Sequence, residues 1–199
     1  MLLKDQVCIV AGAASLRSIG YATAELFVEH GAKVVVTDVS MNEDVLANIK
    51  KQIETRLNKS INLYGFQCDI SRKSECDDLI SKVMALHGSI NCLVNSAGIV
   101  RSGSILEIQE AEMSLMFDIN LKGAFFLCQS VLEIFVKQKY GNIVNVSSLA
   151  AQRGGGLVGG AHYAASKGGM LSLTKSIARE FGHLGIRANS ICPAMIDTP

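Results

Sequence analysis

The sequence predicts an α/β fold: a doubly wound parallel sheet in three layers, with helices on both faces. Three features predict it. Short β-branched runs alternate with longer segments of helical period. A glycine-containing turn joins the first run to the first helix, and an aspartate closes the second run. Strands are expected at 6–11, 33–38, 61–67, 91–95, 141–147 and 186–191.

With 199 residues, 49% of them hydrophobic, the chain can bury one substantial core, and it reads as a single domain over 1–199. Prolines occur only at 193 and 199, so no proline-rich linker divides it. The formal charge is +1 with both signs interspersed, which predicts neither nucleic acid nor an anionic membrane surface as a partner. Uninterrupted apolar runs such as Val7 to Ala14 and Gly123 to Cys128 fall short of the roughly 20 residues that span a bilayer. The N-terminal residues run almost at once into a strand, leaving no room for a secretory signal, and a cytoplasmic location is expected.

The six cysteines, at 8, 68, 76, 92, 128 and 192, form no C-x-x-C pair and mostly sit in apolar runs; they are expected to be reduced core residues.

Segments 41–58 and 72–87 each carry one apolar stripe at spacings of three and four, as helices lying on a sheet do. The helix after Glu107 differs. Leu121, Phe125, Cys128, Leu132 and Phe135 form one stripe, and Ala124, Leu127, Val131 and Ile134 a second beside it. Two stripes ask for a second partner besides the sheet, so self-association through this helix and the one after Tyr163 is expected, as a homodimer or homotetramer. A single wide core-facing stripe is the alternative. Gly154 to Gly156 and Gly159-Gly160 bracket a loop expected to be flexible.

Val7 to Val10 leads through Gly12, Ser15, Ser18, Ile19 and Gly20 into a helix. That order gathers free backbone N–H groups and the positive helix end at one point, where a pyrophosphate binds. Asp38 lies where a carboxylate accepts hydrogen bonds from the adenosine ribose hydroxyls. Alone it would also fit a turn aspartate; with the glycine turn it points to a dinucleotide. Its charge would repel a 2′-phosphate, which favours NAD(H). Arg17 in the turn could pair with that phosphate, so NADP(H) stays possible.

Tyr163 and Lys167 stand four positions apart at the start of a helix, one turn apart on one face. A cation beside a phenol favours the phenolate and brings a group of pKa about 10 toward acid/base work.

Tyr163-x-x-x-Lys167, together with Asn145-Val146-Ser147-Ser148, resembles the signature of the short-chain dehydrogenase/reductase family, in the manner of its 3-oxoacyl-acyl-carrier-protein reductases. The resemblance covers almost the whole chain and implies a Rossmann fold with a seventh strand that the sequence does not reach. Asn95-Ser96-Ala97-Gly98 is similar to the family's N-N-A-G element, and Asp69-Ile70 falls at its adenine-contacting position. Asn120 matches the helix asparagine that holds the water of a proton relay. Pro193, Ile196 and Thr198 fall in the segment that lines the nicotinamide pocket.

The roles this resemblance implies are specific. Tyr163 exchanges the proton of the carbonyl or hydroxyl group, Ser148 hydrogen-bonds that oxygen, and Lys167 holds the nicotinamide ribose and lowers the phenol pKa. The expected activity is hydride transfer between a nicotinamide cofactor and a small-molecule secondary alcohol or ketone.

The sequence departs from the pattern in three places. Ala11 replaces the usual threonine, the turn is two residues longer, and Ser18 stands at the middle glycine, a loop more like that of enoyl-acyl-carrier-protein reductases. Those enzymes, however, space tyrosine and lysine by seven positions, and residue 160 is glycine. Ala194 stands where the family usually has glycine. The sequence stops at Pro199, where a substrate loop would begin. The competing reading is therefore a truncated, non-catalytic nucleotide-binding or interaction module of the same fold.

Overall fold

The computed structural model describes residues 1–156 and 158–198. Six parallel strands form one sheet: β1 (Val7–Ala11), β2 (Lys33–Asp38), β3 (Leu63–Gln67), β4 (Cys92–Asn95), β5 (Gly141–Val146) and β6 (Ile186–Ile191). Their spatial order is β3-β2-β1-β4-β5-β6. Every expected strand is present, with ends trimmed by at most two residues at 61–62. The chain builds outward from β1 in one direction, then returns to build outward in the other. The C-terminal ends of β1 and β4 therefore diverge into loops on opposite faces, which opens a crevice between them.

The helices are α1 (Ile19–Glu29), α2 (Glu43–Leu57), α3 (Lys73–His87), α4 (Glu110–Phe117), α5 (Ala124–Gln138), the short α6 (Ala150–Arg153) and α7 (Ala161–Phe181). β1 is buried along its whole length, as expected of a central strand covered on both faces. Val10, Val34, Val36 and Val94 meet Ala24, Val28, Ile49 and Ile53 of α1 and α2 on one face. Ile9, Val35, Leu93 and Ile143 meet Leu79, Leu127, Val131, Phe135 and Ile177 of α3, α5 and α7 on the other. Alternate residues of each strand feed the two cores because successive side chains point to opposite faces.

Helix ends follow local chemistry. Asn42 caps α2 by accepting from Val45 N at 2.9 Å, and Asn58 and Gly88 close α2 and α3 in the left-handed conformation.

Most of the double apolar stripe turns toward the core. Between α4 and α5 the chain runs through a π-helical turn, Asp118–Gly123, without a break. Ala124, Leu127, Cys128, Val131, Leu132 and Phe135 all face the core, so most of both predicted stripes is one wide face. Leu121 packs within the chain, beside Gly169 of α7. Among the apolar residues left outward are Met113, Leu115 and Phe125, each nearly half exposed. Counting uninterrupted apolar runs also passed over the combined helix Glu110–Gln138, which is long and apolar enough to cross a membrane by length and composition. Half of that apolar window is buried within the fold, against the sheet and α7.

The six thiols are free; Cys92 and Cys192 are only half-buried, while the other four are buried as expected. Complete burial pushes the Cys128 thiol up to about 12, which keeps it protonated. The glycine loop after α6 is tied down in its described part: Gly156 N bonds to Gly159 O at 3.0 Å, and Gly160 N to Arg101 O at 2.8 Å. Its residue 157 lies outside the described residues.

Candidate active site

The crevice at the sheet's reversal is a cleft of about 500 Å³. Gly12, Ser15, Ser18 and Ile19 of the turn line it, with Asp38 after β2, Asp69 and Ile70 after β3, Ala97 and Gly98 after β4, and Thr198. The turn works because two backbones approach closely. Gly12 has φ +78, and a Cβ there would lie 2.6 Å from Ala97 N; a Cβ on Gly20 would lie 2.3 Å from Gly12 O. Gly20 is thus buried behind the turn, where it lets α1 pack against β1.

Ser18 at the middle position is not a defect. It adopts an extended conformation at φ -82, and its hydroxyl caps α1 by accepting from Tyr21 N at 3.0 Å. A glycine's freedom is not needed there.

Asp38 is held at the cleft wall by several donors. Ala14 N reaches Oδ2 at 3.3 Å, while Ser40 N and Oγ reach Oδ1 at 3.1 and 2.9 Å. For Asp69, burial pushes the carboxyl up, but bonds from Ser71 and the Arg72 guanidinium outweigh it and hold it below the usual carboxylate range. Arg17 is engaged with Asp197, a pair exposed to solvent.

The second cluster lies where β4, β5 and α7 converge. Lys167 is buried, and its Nζ donates to Val146 O at 2.9 Å. A Cβ on Gly98 would lie 2.9 Å from Asn120 Oδ1 and 3.1 Å from Lys167 Nζ, so this glycine keeps both groups beside the cleft. Tyr163 lies half-buried one turn before Lys167, its ring against Gly159, where a Cβ would come within 2.3 Å of Cδ1. Ser147 is buried and donates to Lys167 O at 2.9 Å, whereas Ser148 is half-buried and accepts from Ala150 N. The first serine is committed to the framework, and the second keeps its hydroxyl proton available.

Asn120 sits in the π-helical turn, a feature frequent at functional sites. Its amide clasps Ile99 in both directions, Ile99 N to Oδ1 at 2.8 Å and Nδ2 to Ile99 O at 2.9 Å, and reaches Ser166 Oγ at 3.1 Å. The side chain is therefore occupied in holding the segment after β4.

The remaining expected positions stand apart from the cleft wall. Asn95 is fully buried and accepts from Ala97 N at 3.2 Å. Pro193 O accepts from Leu149 N at 2.9 Å, which ties the last segment to α6. Ile196 lines a separate hollow with Arg17, Ile19 and Leu26 on the outer side of α1.

Sequence reasoning passed over Ser96, whose hydroxyl donates to Ala11 O at 2.6 Å and binds the end of β4 to the turn. It also passed over Gly159 as the bed of the tyrosine ring. Only its neighbourhood to Tyr163 in the chain pointed that way.

A glycine-lined cleft at the reversal of a parallel sheet, with a buried lysine beside Gly98 and a tyrosine one turn before it on the same helix, defines a dinucleotide-dependent oxidoreductase. The cleft, with Gly12 and Gly98 in its wall and Ser18 and Ile19 at the start of α1 opening into it, fits a nicotinamide dinucleotide.

A family model described as enoyl-(acyl carrier protein) reductase matches residues 12–199. An uncharacterised short-chain type dehydrogenase/reductase of Sinorhizobium fredii is 38% identical over 100% of this chain and 77% of its own length. A 3-oxoacyl-[acyl-carrier-protein] reductase of Thermotoga maritima is 34% identical, again over 100% of this chain and 77% of its own. The crystal structure of an NAD+-bound xylitol dehydrogenase superposes with a TM-score of 0.87 at 27% identity, over 98% of this chain and 72% of that one. The chain belongs to the short-chain dehydrogenase/reductase family. It is a nicotinamide-dependent oxidoreductase acting at a hydroxyl or carbonyl carbon.

Burial pushes Lys167 down to about 8. Among the described residues no carboxylate pairs with it. At neutral pH the ammonium still predominates, so the site holds a desolvated cation at a cost to stability. Because the native value lies below the ordinary 10.5, the penalty is complete below pH 8, shrinks as pH rises and vanishes above 10.5. Lys167→Met should therefore stabilise the cofactor-free protein by about 2–3 kcal/mol at pH 7, and the gain should fade toward pH 10.5. Urea unfolding at a series of pH values measures it; a loss of stability at pH 7 would refute the argument.

Proposed function

We propose that the chain interconverts a secondary alcohol and a ketone with Tyr163 as the acid/base, Ser148 as the hydrogen-bond donor to the reacting oxygen, and NAD(H) as the preferred cofactor. The observation that carries this reading is the meeting of Lys167 and Asn120 beside Gly98 of the cleft wall, with Tyr163 one turn before Lys167 on α7. When bound, the nicotinamide supplies or accepts the hydride.

The chain's own groups account for the rest. Gly12, Ser15, Ser18 and Ile19 would receive the pyrophosphate at the N-terminus of α1, where N–H groups and the helix dipole favour an anion. Asp69 and Ile70 would border the adenine. Tyr163 would give its phenolic proton to the carbonyl oxygen in reduction and take the hydroxyl proton in oxidation. The Ser148 hydroxyl would stabilise the charge that develops on that oxygen. The Lys167 ammonium, one turn along α7, would hold the ribose and place positive charge behind the phenol. Asn120 would act through the segment that it clasps at Ile99.

Tyr163→Phe keeps the ring on Gly159 but removes the transferable proton. Reduction of a panel of ketones with NADH, followed at 340 nm, should slow by about 10²-fold or more, with NADH affinity unchanged in a fluorescence titration. Retention of most activity would reduce Tyr163 to a packing residue.

The preference for NAD(H) rests on Asp38, fixed at the cleft wall by Ala14 and Ser40, and on Arg17, which is engaged with Asp197. A 2′-phosphate would meet the carboxylate, and Arg17 would have to leave Asp197 to offset the repulsion. Titration should give NADH a Kd about tenfold or more below that of NADPH, equivalent to about 1.4 kcal/mol; the reverse order would overturn the assignment.

Self-association through the outward faces of α4 and α5 belongs to the same proposal, since Met113 and Phe125 leave apolar surface there. Light scattering at micromolar concentration should give at least a dimer, and a monomer mass would exclude it.

A further inference from the structure

His162, next to Tyr163 in the chain, is buried, and among the described residues neither of its ring nitrogens has a hydrogen-bond partner. Leaving a buried polar group unpaired costs about 1–3 kcal/mol. One carboxylate stands within reach: Glu112 Oε1 on α4 lies 3.5 Å from Nε2, inside ion-pair range but without hydrogen-bond geometry. The Glu112 side chain is 35% exposed and has room to turn toward the ring.

The ring also carries a particular load. α7 begins after Gly160, a cap residue with no side-chain hydrogen bond, so the first turn of the tyrosine-bearing helix has no capping side chain to hold it. A Cβ on Gly160 would lie 3.0 Å from His162 Cε1 and Nδ1, which puts the imidazole directly against that residue. Gly159, on the other side, is the bed of the Tyr163 ring. The same two glycines are held from outside by the segment after β4, through Gly160 N to Arg101 O and Gly159 N to Ser102 Oγ.

We propose that His162 and Glu112 form an imidazole–carboxylate brace between α4 and the first turn of α7, and that this brace positions the Tyr163 phenol by holding the Gly159–Gly160 turn. His162 is a positioning residue: it acts through the turn and does not touch the reacting atoms. Nε2–H of the imidazole donates to the carboxylate, closing a contact that is now a few tenths of an ångström too long. The consequence for turnover rests on Tyr163 being the acid/base; the brace itself does not.

The test separates the two. Hydrogen exchange on the cofactor-free protein reads the brace directly: the Gly159 and Gly160 amides should exchange about tenfold faster in Glu112→Ala and His162→Asn. They should keep wild-type protection in Glu112→Gln and His162→Gln, whose amides still reach across from the Nε2 side. Glu112 is partly exposed, so Glu112→Ala keeps the test meaningful if a His162 variant fails to fold. In the ketone-reduction assay the unbraced variants should lose about tenfold in kcat through a misplaced phenol, with the KM for NADH unchanged and His162→Gln restoring the rate. Unchanged exchange in Glu112→Ala would overturn the brace whatever the kinetics. Faster exchange with unchanged kcat would overturn its role in positioning, provided Tyr163→Phe is inactive. An active Tyr163→Phe would instead condemn the proposed chemistry and leave the brace to be judged by exchange alone.

Discussion

Three backbones meet at the head of β1, and the rest of the site is arranged around that meeting. Gly12 approaches the Ser96-Ala97 backbone, Gly20 approaches the Gly12 carbonyl, and the Ser96 hydroxyl bonds to Ala11 O at 2.6 Å. Side chains larger than hydrogen on either glycine would push α1 off the sheet or close the crevice. Because β1 and β4 are neighbours that lead to opposite faces, this contact sets the width of the cleft and aims the start of α1 into it. The cofactor cradle is in this sense a packing solution before it is a binding site.

Where β4, β5 and α7 converge, the fold gives up stability to bury a cation. Lys167 is an ammonium held away from water with a backbone carbonyl as its partner, and Ser147 and Asn120 are committed to holding the backbone around it. Such an arrangement rigidifies α7 and the segment after β4 together. Ser148 and Tyr163 remain half-buried beside it, the two groups to which the proposed chemistry assigns the substrate oxygen. Commitment and availability of a hydroxyl are divided between adjacent residues, Ser147 and Ser148, because neighbours along the chain point in different directions.

The amphipathic pattern was a good guide to elements and a poorer one to partners. All six strands and the helices α2 and α3 follow from periodicity, since parallel strands buried on both faces and helices on a sheet have unmistakable patterns. Most of both stripes on α5 is taken up inside the fold, with Phe125 left outward. The sheet, α3 and α7 together surround enough of the helix to bury most of both, and Leu121 is taken up by α7 beside Gly169. A sequence shows how much of a helix is apolar, but the angle that its neighbours subtend is a property of the assembled layers.

By itself the sequence determined the strand order's raw material, the glycine turn, the carboxylates at 38 and 69, and the Tyr163–Lys167 spacing. All of these depend on contacts within one or two turns or on a motif written contiguously in the chain. Tertiary structure decided the rest. It showed that Ser18 serves as a helix cap, that Asn120 clasps Ile99, that Arg17 faces Asp197 and that Glu112 stands beside His162. The residues in three of these pairs are separated by 21 to 180 positions. Local periodicity carries no information about which distant carboxylate or carbonyl will face a given side chain. That choice is made only when the sheet reverses direction and brings the loops after β1, β4 and β5 to one end of the molecule.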